Sequence, residues 1–266
     1  MGHREAEGGG QHARPTHATD GAGWPDLSAS RTSLNTPVTV RQIAAVKTAR
    51  YVVLGPEDGS VDEVWVACHG YGQLATYFGR HFREALRPGR LVVVPEALSR
   101  FYVTEGGRRV GDRVGASWMT REDRETEIAD ITRYLDDVLV AACARADADP
   151  RTVALGGVGF SQGAATLVRW LAYSPLVRSR ARRAGRVVLW GGALPHDLDL
   201  GEHAGWLRDA GLHLVAGDRD GFATPGRIVK EERRLAEAGV PYETTSFSGG
   251  HRLDDRLLAE VMAPLA

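Results

Sequence analysis

One pentapeptide constrains this chain more than any other feature: Gly159-Phe160-Ser161-Gln162-Gly163. It follows the apolar run Val153 to Val158 and precedes an Ala-rich stretch, Ala164 to Tyr173, that reads as a helix. Between a strand and a helix, Gly-x-Ser-x-Gly puts the serine on a turn so tight that its backbone is strained. Glycines two residues to either side are required there, because a Cβ would collide with the neighbouring strand or helix. The hydroxyl is presented at the carboxyl edge of a sheet, at a helix N-terminus whose free N–H groups favour developing negative charge. Such a serine is built to attack acyl groups. The pattern also arises by chance in glycine-rich chains, and this one has 32 glycines, so the reading must predict further features.

The first is a pair of N–H donors for the oxyanion of an acyl-transfer intermediate. One comes from the residue after the nucleophile, Gln162, and the other from a loop after an earlier strand. Val64-Trp65-Val66-Ala67-Cys68 reads as a buried strand that runs into His69-Gly70-Tyr71-Gly72-Gln73. Two glycines around one residue let the backbone turn and aim the Tyr71 N–H at a ligand. His69 reads as a brace for that loop.

The second is an acid and a base, following the serine in that order. Leu212 to Ala216 reads as a strand ending in Gly217-Asp218-Arg219-Asp220-Gly221, with Pro225 close behind. Tyr242 to Phe247 reads as a strand ending in Ser248-Gly249-Gly250-His251. Both ends lie on the same sheet edge as Ser161. His251 would take the serine proton, and an aspartate would hold its tautomer and stabilise the imidazolium. On the residues alone, Asp218 and Asp220 are both open.

Taken together, HGYG, GFSQG, GDRDGFATP and GGH resemble a serine esterase of the α/β-hydrolase superfamily, in the phospholipase/carboxylesterase group, from about Tyr51 to the C-terminus. The resemblance implies an acid in a Gly-x-x-Asp turn several residues before a proline, which maps onto Gly217, Asp220 and Pro225. Asp220 is then the acid, and Asp218 is a turn residue bonding nearby backbone. The resemblance also places a Trp-containing loop over the site. Phe101, Trp118 and Met119, in the polar stretch 96–120, are the candidate substrate-binding residues. Trp118 serves equally as an anchor of that loop on the core. The implied activity is carboxylic-ester hydrolysis through an acyl-enzyme on Ser161. The alternatives are a thioesterase or peptidase with the same triad, and a non-catalytic receptor on a hydrolase scaffold. No cofactor is implied.

Charge and composition narrow the partners. Thirty-three basic residues against 34 acidic ones leave a formal charge of −1, which provides no electrostatic footprint for nucleic acid. No apolar run approaches the ~18 residues of a membrane span. The expected partner is a small-molecule ester. The remaining histidines do not follow the last strand, and His3, His12 and His17 lie in a Gly-rich segment that cannot fix ligand geometry, so no metal site is expected. The N-terminus lacks the apolar core of a secretory signal. The two cysteines, Cys68 and Cys143, fall in a strand and a helix, where they read as free thiols. Both features suit a reducing cytoplasm.

Residues 1–36 are rich in Gly, Ala, Ser, Thr and Pro without periodicity and read as a disordered extension. Residues 37–266 read as one α/β-hydrolase domain of about eight mostly parallel strands with helices on both faces. The first two strands, 38–46 and 49–54, are expected as antiparallel edge strands, because too few residues separate them for a crossover. Helices are expected over 75–87, from a Thr120 cap through Ala142, after Ser161, and over 252–262. The stretch 96–120 is expected to be irregular.

Overall fold

The computed structural model describes residues 39–58, 60–106 and 108–265. The chain divides into two units, Met1–Val46 and Lys47–Ala266. In the first, residues 39–46 form neither helix nor strand, and Val40, Ile43 and Val46 are exposed. The strand expected at 38–46 is therefore not formed over its described part. Its apolar residues recur every third position rather than every second, so they give no one-sided strand face. The extension expected over 1–36 lies outside the described residues.

The second unit is built on a seven-stranded sheet in the order β1-β3-β2-β6-β7-β8-β9. Strands β2 (Glu63–Cys68), β3 (Arg90–Pro95), β6 (Ala154–Phe160), β7 (Arg186–Trp190), β8 (Leu212–Gly217) and β9 (Tyr242–Phe247) are parallel. Only β1 (Tyr51–Leu54) is antiparallel, pairing with β3 at the edge. The sheet thus has one strand fewer than expected. Cys68 pairs with Gly159, Phe160 with Trp190 and Gly217 with Phe247, so the carboxyl ends align along one edge. In open parallel sheets that edge is where ligands bind.

Alternate residues of β2 reach opposite layers, as the two-residue period of a strand requires. Val64, Val66 and Cys68 join a core with Leu135, Leu139 and Leu167, while Trp65 and Ala67 join one with Phe78, Phe82 and Leu258. Burial on both faces explains the unbroken apolar runs of β2 and β3. Helices α2 (Arg124–Arg145) and α3 (Gln162–Tyr173) supply the first layer; α1 (Ala75–Phe78), its 3₁₀ continuation Gly79–Phe82 and α7 (Asp255–Val261) supply the second. The remaining helices are α4 (Pro175–Arg178), α5 (Leu200–Asp209) and α6 (Pro225–Glu237).

Three expectations need correction. The stretch 96–120 is not irregular: β4 (Ser99–Glu105) and β5 (Arg108–Ser117) form a separate antiparallel hairpin with a register shift between Tyr102 and Thr104. Half-buried Phe101 and Val103 alternate with exposed Arg100, Tyr102 and Thr104, so a two-residue period exists but carries few apolar side chains. The helix expected over 75–87 is a single α turn that tightens to 3₁₀ at Gly79, a poor helix former. Thr120 does not cap α2; its hydroxyl accepts the Glu122 N–H at 3.2 Å, and Asp123 turns the chain at φ 47° before the helix begins at Arg124. Among the described residues no helix is long and apolar enough to cross a membrane.

Candidate active site

Ser161 ends β6 and opens α3, with φ 54° and ψ −116°. A non-glycine residue with positive φ outside the helical basin is strained and persists only where its surroundings over-determine it. Here they do. The Ser161 N–H donates to Trp190 O at 2.8 Å on β7, and α3 starts immediately. A Cβ on Gly163 would lie 2.0 Å from Cys68 O, and one on Gly159 would lie 2.4 Å from Ala164 Cα. The expected requirement for both glycines is thus a matter of backbone contact.

The Ser161 hydroxyl lies 2.9 Å from His251 Nε2, and His251 Nδ1 lies 2.8 Å from Asp220 Oδ2. The imidazole sits between Phe160 and Phe222, with ring centroids 4.8 and 4.6 Å away. These rings limit its rotation. Gly191, just past β7 at φ 57°, leaves the space: a Cβ there would lie 3.0 Å from the imidazole and 3.1 Å from Asp220 Oδ2.

The two aspartates of the turn after β8 do different things. Asp220 is buried, and its Oδ1 accepts the N–H groups of Phe222 at 2.7 Å and Ala223 at 2.9 Å. Burial opposes its charge, but the donors Ala223, His251 and Phe222 outweigh it and hold the carboxyl below the usual aspartate range. Asp218 instead accepts the Gly249 N–H at 2.9 Å and lies 3.4 Å from Arg219. It ties the β8 turn to the β9 turn and does not bond His251.

The loop after β2 is bound at every neighbour of Tyr71. Gly70 N–H donates to Gln73 Oε1 at 2.8 Å, Gly72 N–H to Ala116 O at 2.9 Å, and Gln73 N–H to Gly70 O at 3.2 Å. Among the described residues the Tyr71 N–H makes no such bond, and the Gln162 N–H, first in α3, has no helical carbonyl to meet. His69 is buried; its Nε2 accepts the Ala97 N–H at 3.0 Å, so its Nδ1–H donates to Gly70 O at 2.8 Å. Burial pushes its pKa down, which keeps the ring neutral for both bonds.

Of the three aromatic and thioether candidates, Trp118 is buried beside His69 at 5.0 Å, with its indole N–H on His69 O at 2.7 Å. Phe101 stacks on Tyr71 at 4.9 Å. Met119 offers its carbonyl to Gln162 Nε2 at 2.9 Å. A cavity of about 390 Å³ opens elsewhere, lined by Ser161, Gly192, Leu214, Phe222, Ile228 and Glu231 among others, and none of those three candidates lines it.

Sequence reasoning missed three parts of the site. The Gln162 side chain accepts the Trp118 N–H at 3.1 Å and so fastens the nucleophile turn to the end of β5. Phe222 flanks the imidazole, and Glu231 is buried in the cavity wall. A large apolar residue two positions after Asp220 was the available signal for Phe222; a glutamate in a strongly charged helix gave none for Glu231.

Residues 51–265 match the model of the family described as Phospholipase/Carboxylesterase. Among solved structures, the chain is similar to Zea mays acyl-protein thioesterase 2, at 21% identity over 81% of this chain and 96% of that one, with a TM-score of 0.57. It is similar to the Bacillus cereus carboxylesterase at 17% identity over 80% and 92% of the two chains, with a TM-score of 0.53. For the phospholipase/carboxylesterase from Dyadobacter fermentans the values are 13%, 83%, 99% and 0.54. No curated protein matches by sequence. The architecture shared with these structures is the α/β-hydrolase fold.

Proposed function

The chain belongs to the phospholipase/carboxylesterase family of α/β-hydrolases, and from that premise we propose that it cleaves carboxylic esters of small molecules through an acyl-enzyme on Ser161. The observation that carries this reading is the hydrogen-bonded series Ser161 Oγ, His251, Asp220, at 2.9 and 2.8 Å, on a strained serine. His251 Nε2 takes the hydroxyl proton as Oγ attacks the ester carbonyl. The backbone N–H groups of Tyr71 and Gln162 receive the oxyanion. Asp220, kept ionised by its N–H donors, holds Nδ1 protonated and stabilises the imidazolium. That imidazolium protonates the departing alcohol. Water then attacks the acyl carbon as His251 takes its proton; the acyl–Oγ bond breaks, His251 returns the proton to Oγ, and the acid leaves.

A thioester would use the same atoms, with a thiolate that needs less help in leaving; matched oxygen and sulfur esters decide between them. Two buried free cysteines, with Cys143 pushed up to about 11 by burial, support a reducing, cytoplasmic setting. The test is labelling by a fluorophosphonate, which needs an activated serine. Wild type should label on the peptide containing Ser161, and Ser161→Ala should not. An unlabelled wild type would favour a non-catalytic receptor.

A further inference from the structure

We propose that the cavity running from Ser161 beneath α6 selects acyl groups that end in an ammonium, with Glu231 as the counter-charge; this rests on the reading of Ser161 as the acyl acceptor. The cavity lies between α6 and the strands β8 and β9. Part of its lining is apolar: Leu214 and Ala216 from β8, Phe222 and Ala223 from the following turn, and Ile228 one turn into α6. Such walls offer a hydrocarbon chain a place out of water. The lining also carries the uncharged hydroxyl residues Thr244, Thr245 and Ser246 of β9; a charged partner for a cation is supplied by Glu231 on α6.

Glu231 is 9% exposed, and one of only two buried residues of α6. Its Oε1 accepts the Leu194 N–H at 2.9 Å. Its Oε2 is ion-paired with Arg234 Nη1 at 3.8 Å, a separation longer than a hydrogen bond. Arg234 itself donates to Leu198 O at 2.7 Å. Glu232 adds a second carboxylate to the lining, while the lining guanidinium, Arg227, donates to Phe222 O at 2.9 Å. Burial raises the Glu231 carboxyl above the usual glutamate range. A cation brought into the cavity relieves that cost, and a buried cation in turn requires an opposed charge. The acyl arm is assigned to this space because it stays on Ser161 through both chemical steps, whereas the alcohol must leave. A space roofed by a helix suits the group that stays.

The test compares p-nitrophenyl 6-aminohexanoate with p-nitrophenyl heptanoate near pH 7, where a methyl replaces the ammonium at matched length. Wild type should prefer the amino ester in kcat/KM by about tenfold or more, the scale of a hydrogen bond to a charged group. Glu231→Gln should erase that preference. The glutamine keeps an acceptor for the Leu194 N–H, so a role confined to bracing Leu194 would move both esters together and leave their ratio unchanged, which would overturn the proposal. Equal preference in wild type would overturn it too, as would selectivity for an amino group placed in the alcohol arm. If wild type cleaves neither ester, the reading of Ser161 falls first. A measurement on wild type alone guards against a misfolded variant: hexylamine should inhibit heptanoate hydrolysis about tenfold more strongly than hexan-1-ol, and equal inhibition would refute the ammonium site.

Discussion

Replacing Asp220 by asparagine tests the geometry at its most specific point. The side chain has three partners: Oδ1 accepts from Phe222 and Ala223, and Oδ2 faces His251 Nδ1 at 2.8 Å. An asparagine has one acceptor oxygen. With the oxygen left toward the two backbone donors, the NH₂ group faces Nδ1, which must then accept. The ring proton moves to Nε2 and points at Ser161 Oγ, so the imidazole cannot act as base. The flipped amide would keep the tautomer but set its NH₂ against two N–H groups, losing two hydrogen bonds of roughly 1 kcal/mol each plus the cost of leaving buried donors unmet. The first arrangement therefore wins, and kcat should fall by about three to four orders of magnitude, or ~4–5.5 kcal/mol in the barrier. Asp218→Asn removes only a charge from a half-exposed residue that still accepts the Gly249 N–H; its kcat should stay within a few-fold. Stopped assays of a p-nitrophenyl ester on both variants, with urea midpoints to confirm folding, measure this directly. An Asp220→Asn enzyme retaining a tenth of wild-type turnover, or the reverse ranking of the two variants, would refute the tautomer argument.

Gly163→Ala should destabilise by about 3 kcal/mol or more, because its Cβ would lie 2.0 Å from backbone. Gly226→Ala, with nothing within 4 Å of its Cβ, should be neutral or slightly stabilising; thermal melts of the pair check both. Asp197 bears on acid stability. Burial alone would raise its pKa, but hydrogen bonds from Arg124 and Arg169 hold it at about 2. A carboxyl with a depressed folded pKa stabilises above its unfolded value near 4 and loses that contribution as pH falls toward 2. Asp197→Asn should thus cost about 1 kcal/mol at pH 7, after allowance for screening at a partly exposed pair, with the deficit shrinking by pH 3 in urea titrations. A constant deficit would contradict the ion-pair assignment. EDTA should leave ester hydrolysis unchanged, because the proposed electrophiles are the Tyr71 and Gln162 N–H groups; loss with recovery on added zinc would contradict that.

The parts of the molecule legible in sequence are those where one physical requirement dominates. Strands buried on both faces write themselves as unbroken apolar runs, as in Leu91 to Val94, and close backbone contact at the nucleophile turn admits only glycine at 159 and 163. The order of serine, aspartate and histidine was readable because each follows the carboxyl end of a parallel strand on one edge. The β4–β5 hairpin was not, since its half-buried apolar residues, Phe101, Val103, Val110 and Val114, are scattered among arginines and glycines. Residues 39–46 misled for the opposite reason: several β-branched residues suggested a strand, but their spacing builds no face. Glu231 was invisible because α6 is rich in charged residues, and only packing reveals which of its charges is buried.

The central claim, acyl transfer to Ser161, is tested most directly by intact-mass and peptide analysis during the first turnover of a p-nitrophenyl ester. The account predicts a mass increase equal to the acyl group, localised to the peptide containing Ser161 and formed together with a burst of p-nitrophenol. It predicts no adduct in Ser161→Ala, whose turnover should be lower by about 10⁴ or more. Hydrolysis by Ser161→Ala at a rate near that of wild type, or an adduct on another residue, would contradict it.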